Sequence, residues 1–501
     1  MISFLKFFKS RSGLLAGISS ILLILAFPKT DFWALAWVGL IPFLFSIDGK
    51  SLKDSFRIGY FCGFIFFGFT FYWLCYVTFL GAVILSCYFA IFFGLFGLAT
   101  SFFQKQKSFW KLFLIPAAWV VLEFARAHLI SGMSWASLGL SQYKNLPAIQ
   151  ISDITGMYGV SFLIVLINIG IKESLFSREK ISQRWTAIVT VVVCLGLALG
   201  YGQYRLKCRI TPTGNIKIAI IQPSVGLTER WRVAAWDHII QNQISLSRQS
   251  LTSHPELIIW PESAVPGVLP EEEELFTQVK GFASEEKIPL LLGAVVSEDE
   301  RIYYNSALLL SQEGQTVKRY DKLKLVPYGE YIPYRRIFPF LKYVVPIDDF
   351  TPGKEFTVFD LKGARRFSVL ICFEDSSPGL SRAFVNNGAQ VLINITNDDW
   401  FKDTQAPFLH LEESVFRAVE NRKMVVRAAN TGVSCFINPL GKVVKAVTDK
   451  NGKMTYVQGF AAQSVSLNSL KTFYTKFGDL FAWLCVGYVI LGMISTRKRP
   501  N

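Results

Sequence analysis

The chain has 501 residues, 51% of them hydrophobic and only 18% charged, with a mean hydropathy of +0.35. A soluble domain carries about 25% charged residues, so this composition, with 44 phenylalanines, excludes a wholly aqueous protein. The net charge of +15 would suit nucleic acid, but the basic residues form no stripe beside exposed aromatics, and no nucleic-acid partner is expected.

A membrane-crossing helix needs about 20 largely apolar residues. Spans are predicted at 12–28, 31–47, 57–79, 81–103, 109–127, 153–171 and 185–204, with a last one at 473–495, about eight in all. Lys6, Lys9 and Arg11 precede the run GLLAGISSILLILAFP, which has no small-residue cleavage site and reads as a retained anchor. Basic residues fall in alternate loops: Lys50, Lys53 and Arg57; Lys105, Lys107 and Lys111; Lys172, Arg178, Lys180 and Arg184; and the end, Arg497, Lys498 and Arg499. The positive-inside rule assigns these loops to the cytoplasm and sends the long polar segment after the seventh span to the opposite face. Arg205, Lys207 and Arg209 run against this count. The loop 128–152 falls on the same face as that polar segment, and its Trp135 and Tyr143 suit an interfacial position, either as the roof of a lipid cleft or as ordinary belt aromatics. Glu123 and Arg126, three apart on one helix, are expected to pair near its end.

From Ile216 to about Val465 the character changes. IKIAIIQPS (216–224), ELIIWPES (256–263), IPLLLGAVV (288–296), SALLLS (306–311), RFSVLICFE (366–374) and AQVLINITN (389–397) each read as a buried strand. Helical patterns fall between them at 236–251, 272–286 and 407–424. Alternating strands and helices predict an α/β or layered domain, with active residues at the carboxyl ends of strands.

Three strand ends carry chemistry: Glu262 in WPES, Lys322 in RYDKLKLVPYGEYIP, which also holds Glu330, and Cys372 in ICFE. A buried carboxylate can deprotonate a thiol, and a fixed ammonium can stabilise the oxyanion made when the thiolate attacks a carbonyl. Such a cation would also offset Glu374 and Asp375, which otherwise disfavour a thiolate at Cys372. Taken singly, Cys372 suits a core thiol, Glu262 a turn and Lys322 a solvated charge. A Cys–His pairing with His410 is the rival arrangement. The eight cysteines lie mostly in or beside apolar spans, with no paired C-x-x-C, so neither a disulfide framework nor a metal site is expected.

WPES, K-x-x-LVPYGEYIP and ICFE, in that order, resemble the Glu-Lys-Cys signature of the nitrilase superfamily. With SWASLGLSQY (134–143), ISDITGMYGVSFLIVLIN (151–168), NDDWF (397–401) and ENRKMVVRAANTGVS (420–434), most of the chain is similar to the membrane-bound N-acyltransferases of that superfamily. The resemblance implies a polytopic bundle of about eight transmembrane helices and a nitrilase-like α-β-β-α sandwich. Its divisions would be 1–208 for the first seven helices, 209–468 for the catalytic domain, and 469–501 for the last helix and a basic tail. It implies a bacterial inner-membrane enzyme, with the catalytic domain on the periplasmic side and no cofactor. Such an enzyme would move an acyl chain from a phospholipid to the N-terminal amine of a diacylated apolipoprotein, through a thioester. It further implies Cys372 as nucleophile, Glu262 as base and Lys322 as oxyanion cation, with Glu330, Trp231, Asn305, Phe373, Glu374 and Trp400 as supporting or substrate-binding residues. Phe373 stands where that family commonly has tyrosine, so a hydroxyl hydrogen bond is lost there. A membrane-tethered hydrolase using the same triad with water, and a transporter with a soluble receptor domain, are the alternative readings.

Overall fold

The computed structural model describes residues 10–104, 108–130, 132–176, 181–299, 302–332 and 349–497. It forms two compact units, Met1–Cys208 with Phe477–Asn501, and Arg209–Lys476.

The first unit is helical: α1 (Arg11–Leu25), α2 (Leu52–Thr70), α3 (Phe79–Phe103), α4 (Ser108–His128), α5 (Met157–Leu175), α6 (Ile181–Lys207) and a last helix, Leu480–Arg497. Three of these, α3, α5 and α6, are long and apolar enough to cross a membrane, and the apolar helices Arg11–Leu25, Trp33–Ser46 and Leu480–Ser495 are shorter. The expected span at 31–47 is a shorter, interrupted helical run made of Trp33–Leu35, Ala36–Gly39 and Ile41–Ser46. Asn168 of α5 explains the break: its side chain accepts the Leu40 N–H and donates to the Ala36 carbonyl, both at 2.9 Å. α2 and α3 approach closely because Gly59 faces the Phe93 carbonyl, which a Cβ would meet at 2.4 Å. Stacked and edge-on rings, among them Phe43, Phe93, Phe96 and Trp119, fill the space around them.

The loop after α4 corrects the interfacial expectation. Trp135 is 2% exposed and packs on Trp73, with ring centroids 5.3 Å apart. Tyr143 is also buried, its hydroxyl donating to Asp31 at 2.9 Å. Glu123 and Arg126 hold this loop: Glu123 accepts the Leu138 N–H at 2.6 Å, and Arg126 donates to the Trp135 carbonyl at 2.6 Å. The loop is therefore part of the packed interior, because two buried charges at the end of α4 need its main chain as partner.

Several of the basic residues near the expected span ends lie within helices and are paired. Lys111 meets Glu173 and Lys172 meets Asp48, each at 2.7 Å. Arg205, which ran against the topological count, forms an ion pair with Asp153 at 3.2 Å. Lys6, Lys9, Lys105, Lys107, Arg178, Lys180, Lys498 and Arg499 lie outside the described residues.

The second unit is a layered α/β domain. One sheet runs β13-β1-β2-β4-β5-β6, with β3 on β4; the other runs β12-β11-β10-β9-β8-β7. In sequence these are β1 (Gly214–Gln222), β2 (Leu257–Ile259), β3 (Val268–Leu269), β4 (Leu290–Asp299), β5 (Ile302–Leu310), β6 (Thr316–Asp321), β7 (Phe359–Leu361), β8 (Arg365–Ile371), β9 (Val391–Thr396), β10 (Met424–Ala429), β11 (Cys435–Ile437), β12 (Val443–Ala446) and β13 (Gly459–Leu467). Pairing is parallel through β1, β2 and β4, and through β8, β9 and β10. The two sheets pack on one another, β1 near β10 and β5 near β8. Helices α7 (Trp236–Ser250) and α8 (Glu273–Glu285) cover the first sheet with Ile240, Ile244, Phe276 and Val279 against Ile258, Leu290 and Leu292. Helices α9 (Pro378–Asn386) and α10 (Ala406–Asn421) cover the second. This is the α-β-β-α order, and it explains why the central strands are apolar on both faces.

All six expected strands are present. The expected helix at 407–424 ends at Asn421, where Arg422 turns left-handed at φ 51°, and Met424 opens β10. β3, β6, β7 and β10–β13 lie outside the six expected runs. β6 (TVKRYD) is a polar edge strand, and the core strand β10 carries the fully buried Arg427.

In the helical unit, Lys111→Met leaves Glu173 buried without its cation and should lower stability by about 3–5 kcal/mol. The double variant Lys111→Met with Glu173→Leu should recover most of the loss, read as the melting temperature of the protein in detergent.

Candidate active site

Strand ends of both sheets meet at one buried cluster. Past β2 the chain turns through WPES, with Ser263 left-handed at φ 48°. Gly293 of β4 lies directly beneath: a Cβ there would stand 2.6 Å from Glu262 Cα, so only glycine lets the turn rest on the strand. The Glu262 carboxylate accepts Asn305 Nδ2 at 2.8 Å and the Asn397 main-chain N–H at 2.8 Å. Asn305 Nδ2 also reaches Glu330 Oε1 at 2.8 Å, so one amide spans two acids.

Lys322 follows β6 directly and is 1% exposed. Its ammonium donates to Glu330 Oε1 at 2.8 Å and stands 3.8 Å from Glu262 Oε1. Glu330 is steadied in turn by the Val326 N–H at 2.8 Å. Burial lowers the pKa of Lys322, but Glu330 and then Glu262 outweigh burial and hold the pKa well above the ordinary lysine value. Burial pushes the Glu262 carboxyl above its usual range, with Lys322 opposing and Glu330 adding.

Cys372 follows β8 in the left-handed conformation, φ 51°, and opens the short turn Cys372–Ser376. Its thiol pKa lies well above the ordinary value, through burial first and Glu262 second, with Lys322 opposing. The resting group is therefore a neutral thiol beside a carboxylate and a permanent cation. A base with raised pKa next to a protonated thiol is what deprotonation during attack requires.

The acids that follow Cys372 do not act on the thiol. Glu374 is fully buried and accepts the Tyr320 hydroxyl (2.8 Å) and the N–H groups of Leu323 (2.7 Å), Lys324 (3.0 Å) and Ile371 (2.8 Å). It ties the segment carrying Lys322 to the end of β8. Asp375 turns to Arg427 at 2.7 Å, Ser414 at 2.5 Å and His410 at 2.9 Å. Thus Glu374 is satisfied mainly by main-chain and tyrosine donors and Asp375 by its own cations, so the offset expected from Lys322 is secondary. His410 is not placed as a base for the thiol: its Nε2 lies 3.2 Å from the Cys372 carbonyl oxygen.

Asn305 and Glu330 lie in the buried cluster, whereas Trp231 and Trp400 lie outside it, 70% and 46% exposed. Phe373 is half-buried, with Lys324 Nζ 5.9 Å above its ring. Asn394, Asn397, Asp398 and Arg427 escaped the sequence reading. For Asn397 and Asp398 the clue is the polar run NDD just past the apolar strand β9; Asn394 lies within that strand and Arg427 on β10. Among the described residues no group of His, Cys, Asp and Glu has metal-site geometry.

The two sheets and the buried Glu-Lys-Cys cluster define a carbon–nitrogen hydrolase domain, and residues 217–459 match the Carbon-nitrogen hydrolase family. Residues 19–170 match the Apolipoprotein N-acyltransferase N-terminal domain. An apolipoprotein N-acyltransferase of Geobacter metallireducens is 35% identical, aligned over 98% of this chain and 96% of its own. That of Chlorobaculum tepidum is 28% identical over 97% and 96%. Among solved structures, an amidase from Nesterenkonia sp. aligns with a TM-score of 0.39 at 19% identity, covering 55% of this chain and 96% of that one. The chain belongs to the apolipoprotein N-acyltransferase family, and it is an N-acyltransferase.

Glu374→Gln keeps the shape but turns an amide NH2 toward converging donors. It should cost about 2 kcal/mol of stability, measured as a lowered melting temperature, and should slow acylation by loosening the Lys322 segment.

Proposed function

We propose that this enzyme moves an acyl chain from a phospholipid to the N-terminal amine of a diacylglyceryl-cysteine on an apolipoprotein, through a thioester on Cys372. The observation that carries this reading is the convergence of Glu262, Lys322 and Glu330 in one buried, hydrogen-bonded cluster beside the thiol.

In the first half-reaction Glu262 takes the thiol proton as Sγ attacks the acyl ester carbon. The carbonyl oxygen becomes an oxyanion facing the Lys322 ammonium, which stays charged because Glu330 and Glu262 hold its proton. Collapse breaks the ester bond, and the departing alkoxide of the lysophospholipid takes the proton back from Glu262. In the second half-reaction the acceptor amine attacks the thioester and gives a proton to Glu262. The thiolate leaves and is reprotonated by Glu262, and the amide product departs. This is ping-pong chemistry on a single nucleophile.

The setting is part of the same proposal. About eight helices cross a bacterial inner membrane. Residues 1–208 carry the first seven, 209–468 form a periplasmic catalytic domain, and 469–501 hold the last helix and a basic tail. The three long apolar helices and the basic loops at Lys50, Lys53 and Arg57 support it. The exposed Trp231 and Trp400 are suited to contact lipid-borne substrates.

Incubating the purified enzyme with phospholipid and no acceptor should give an acyl adduct on Cys372 by mass spectrometry. Adding a diacylated lipopeptide should discharge it to an N-acyl peptide. Cys372→Ser should form no thioester while still folding, and release of free fatty acid in place of the peptide product would favour hydrolysis. Lys322→Met should slow adduct formation by about 10²–10³-fold.

The rate of adduct formation should depend on pH with a defined sign. Glu262 accepts a proton only when ionised, and its pKa is raised. The rate should therefore rise with pH and fall off on the acid side above the ordinary glutamate value of about 4.3.

A further inference from the structure

We propose that His410 is a positioning residue for the nucleophile: as an imidazolium it clamps the turn that carries Cys372 to the loop whose main chain binds Glu262. This rests on the reading of Cys372 as nucleophile.

The geometry sets the charge state. His410 Nε2 lies 2.9 Å from Asp375 Oδ1 and 3.2 Å from the Cys372 carbonyl oxygen, while Nδ1 lies 2.9 Å from Asp398 Oδ1. Every one of these neighbours is an acceptor. A neutral ring would set a lone pair against a carboxylate, so both nitrogens carry protons. The site is buried, His410 being 1% exposed and both aspartates fully enclosed. The charged groups facing the ring are Asp375 from the turn after β8, Asp398 from the loop after β9, and Arg427 from β10. Burial pulls the ring's pKa down, but Asp375 outweighs it, with Arg427 opposing and Asp398 adding, and the balance stands at about 9.

The clamp joins two parts of the machinery. On one side the Cys372 carbonyl takes Asn394 Nδ2 at 3.0 Å together with His410. Those two donors hold a residue whose left-handed backbone, φ 51°, is strained and persists only where its surroundings enforce it. On the other side Asp398 follows Asn397, whose N–H binds Glu262 Oε2 at 2.8 Å. One ring therefore keeps the nucleophile and its base in register through their main chains, without touching substrate.

The test uses full-length enzyme, short-chain phosphatidylethanolamine as donor and no acceptor, with the rate of Cys372 adduct formation followed from about pH 6 to 10. Wild type should lose rate on the alkaline side near pH 9, as the ring loses its proton. His410→Gln should lower the maximal rate by about 10²-fold, with the donor KM within about twofold. Asp398→Asn can still accept from Nδ1, so it preserves the fold, but it removes one of the two carboxylates holding the proton. It should move the alkaline limb down by about one pH unit or more. If His410→Gln does not fold, the Asp398→Asn profile decides alone. A uniform rate loss in Asp398→Asn with the limb in place, or variants that match wild type, would overturn the clamp. Absence of any adduct in wild type would instead overturn the nucleophile reading, and the clamp with it.

Discussion

Lys322 sits almost without water among carboxylates, and the arrangement of the catalytic unit follows from keeping that one charge buried. An ammonium taken out of solvent loses several kcal/mol of hydration, which only close, well-oriented acids restore. Glu330 supplies the short contact and Glu262 the longer one. Each acid then needs donors of its own, and the main-chain N–H groups of Val326 and Asn397 and the amide of Asn305 provide them. The demand passes outward from one ion to the main-chain and amide donors that surround it.

A sheet alone does not bring these groups together. Glu262, Asn305 and Lys322 come from the first sheet, whereas Cys372 and Asn397 come from the second. The sheets meet face to face, so the carboxyl ends of β2 and β8 can share a site that neither sheet builds by itself. Glu374 ties the two halves by binding Tyr320 of β6 and the N–H of Ile371 in β8. The residue that looked like a threat to the thiol is the strut that places its cation.

The helical unit follows the same physical rule in an apolar setting. Charges inside it are paired or hold main chain: Lys111 with Glu173, Arg205 with Asp153, and Glu123 and Arg126 with the loop around Trp135. The loop is buried for that reason. Aromatic residues in a loop between apolar runs look alike in sequence whether they face lipid or fill an interior, and only the partners distinguish them.

Local chemistry was legible in the chain. Apolar runs bounded by polar residues marked the central strands, because a strand covered on both faces must be apolar throughout. Glu262 and Cys372 stood out because each stands at the end of such a run, and Lys322 through the ordered motif around it. Edge strands such as β6, and β10 with its buried Arg427, did not stand out, since a polar strand is recognised by its pairing and not by its composition. The partners of Asp375 and Glu374 were equally hidden: His410, Arg427 and Tyr320 lie between 35 and 54 residues away along the chain. Sequence determined which groups are reactive, because reactivity resides in side-chain type and in neighbours along a strand. Tertiary structure alone decided which acid faces the thiol and which is neutralised elsewhere, because that depends on distances of a few ångströms between segments that share no sequence signal.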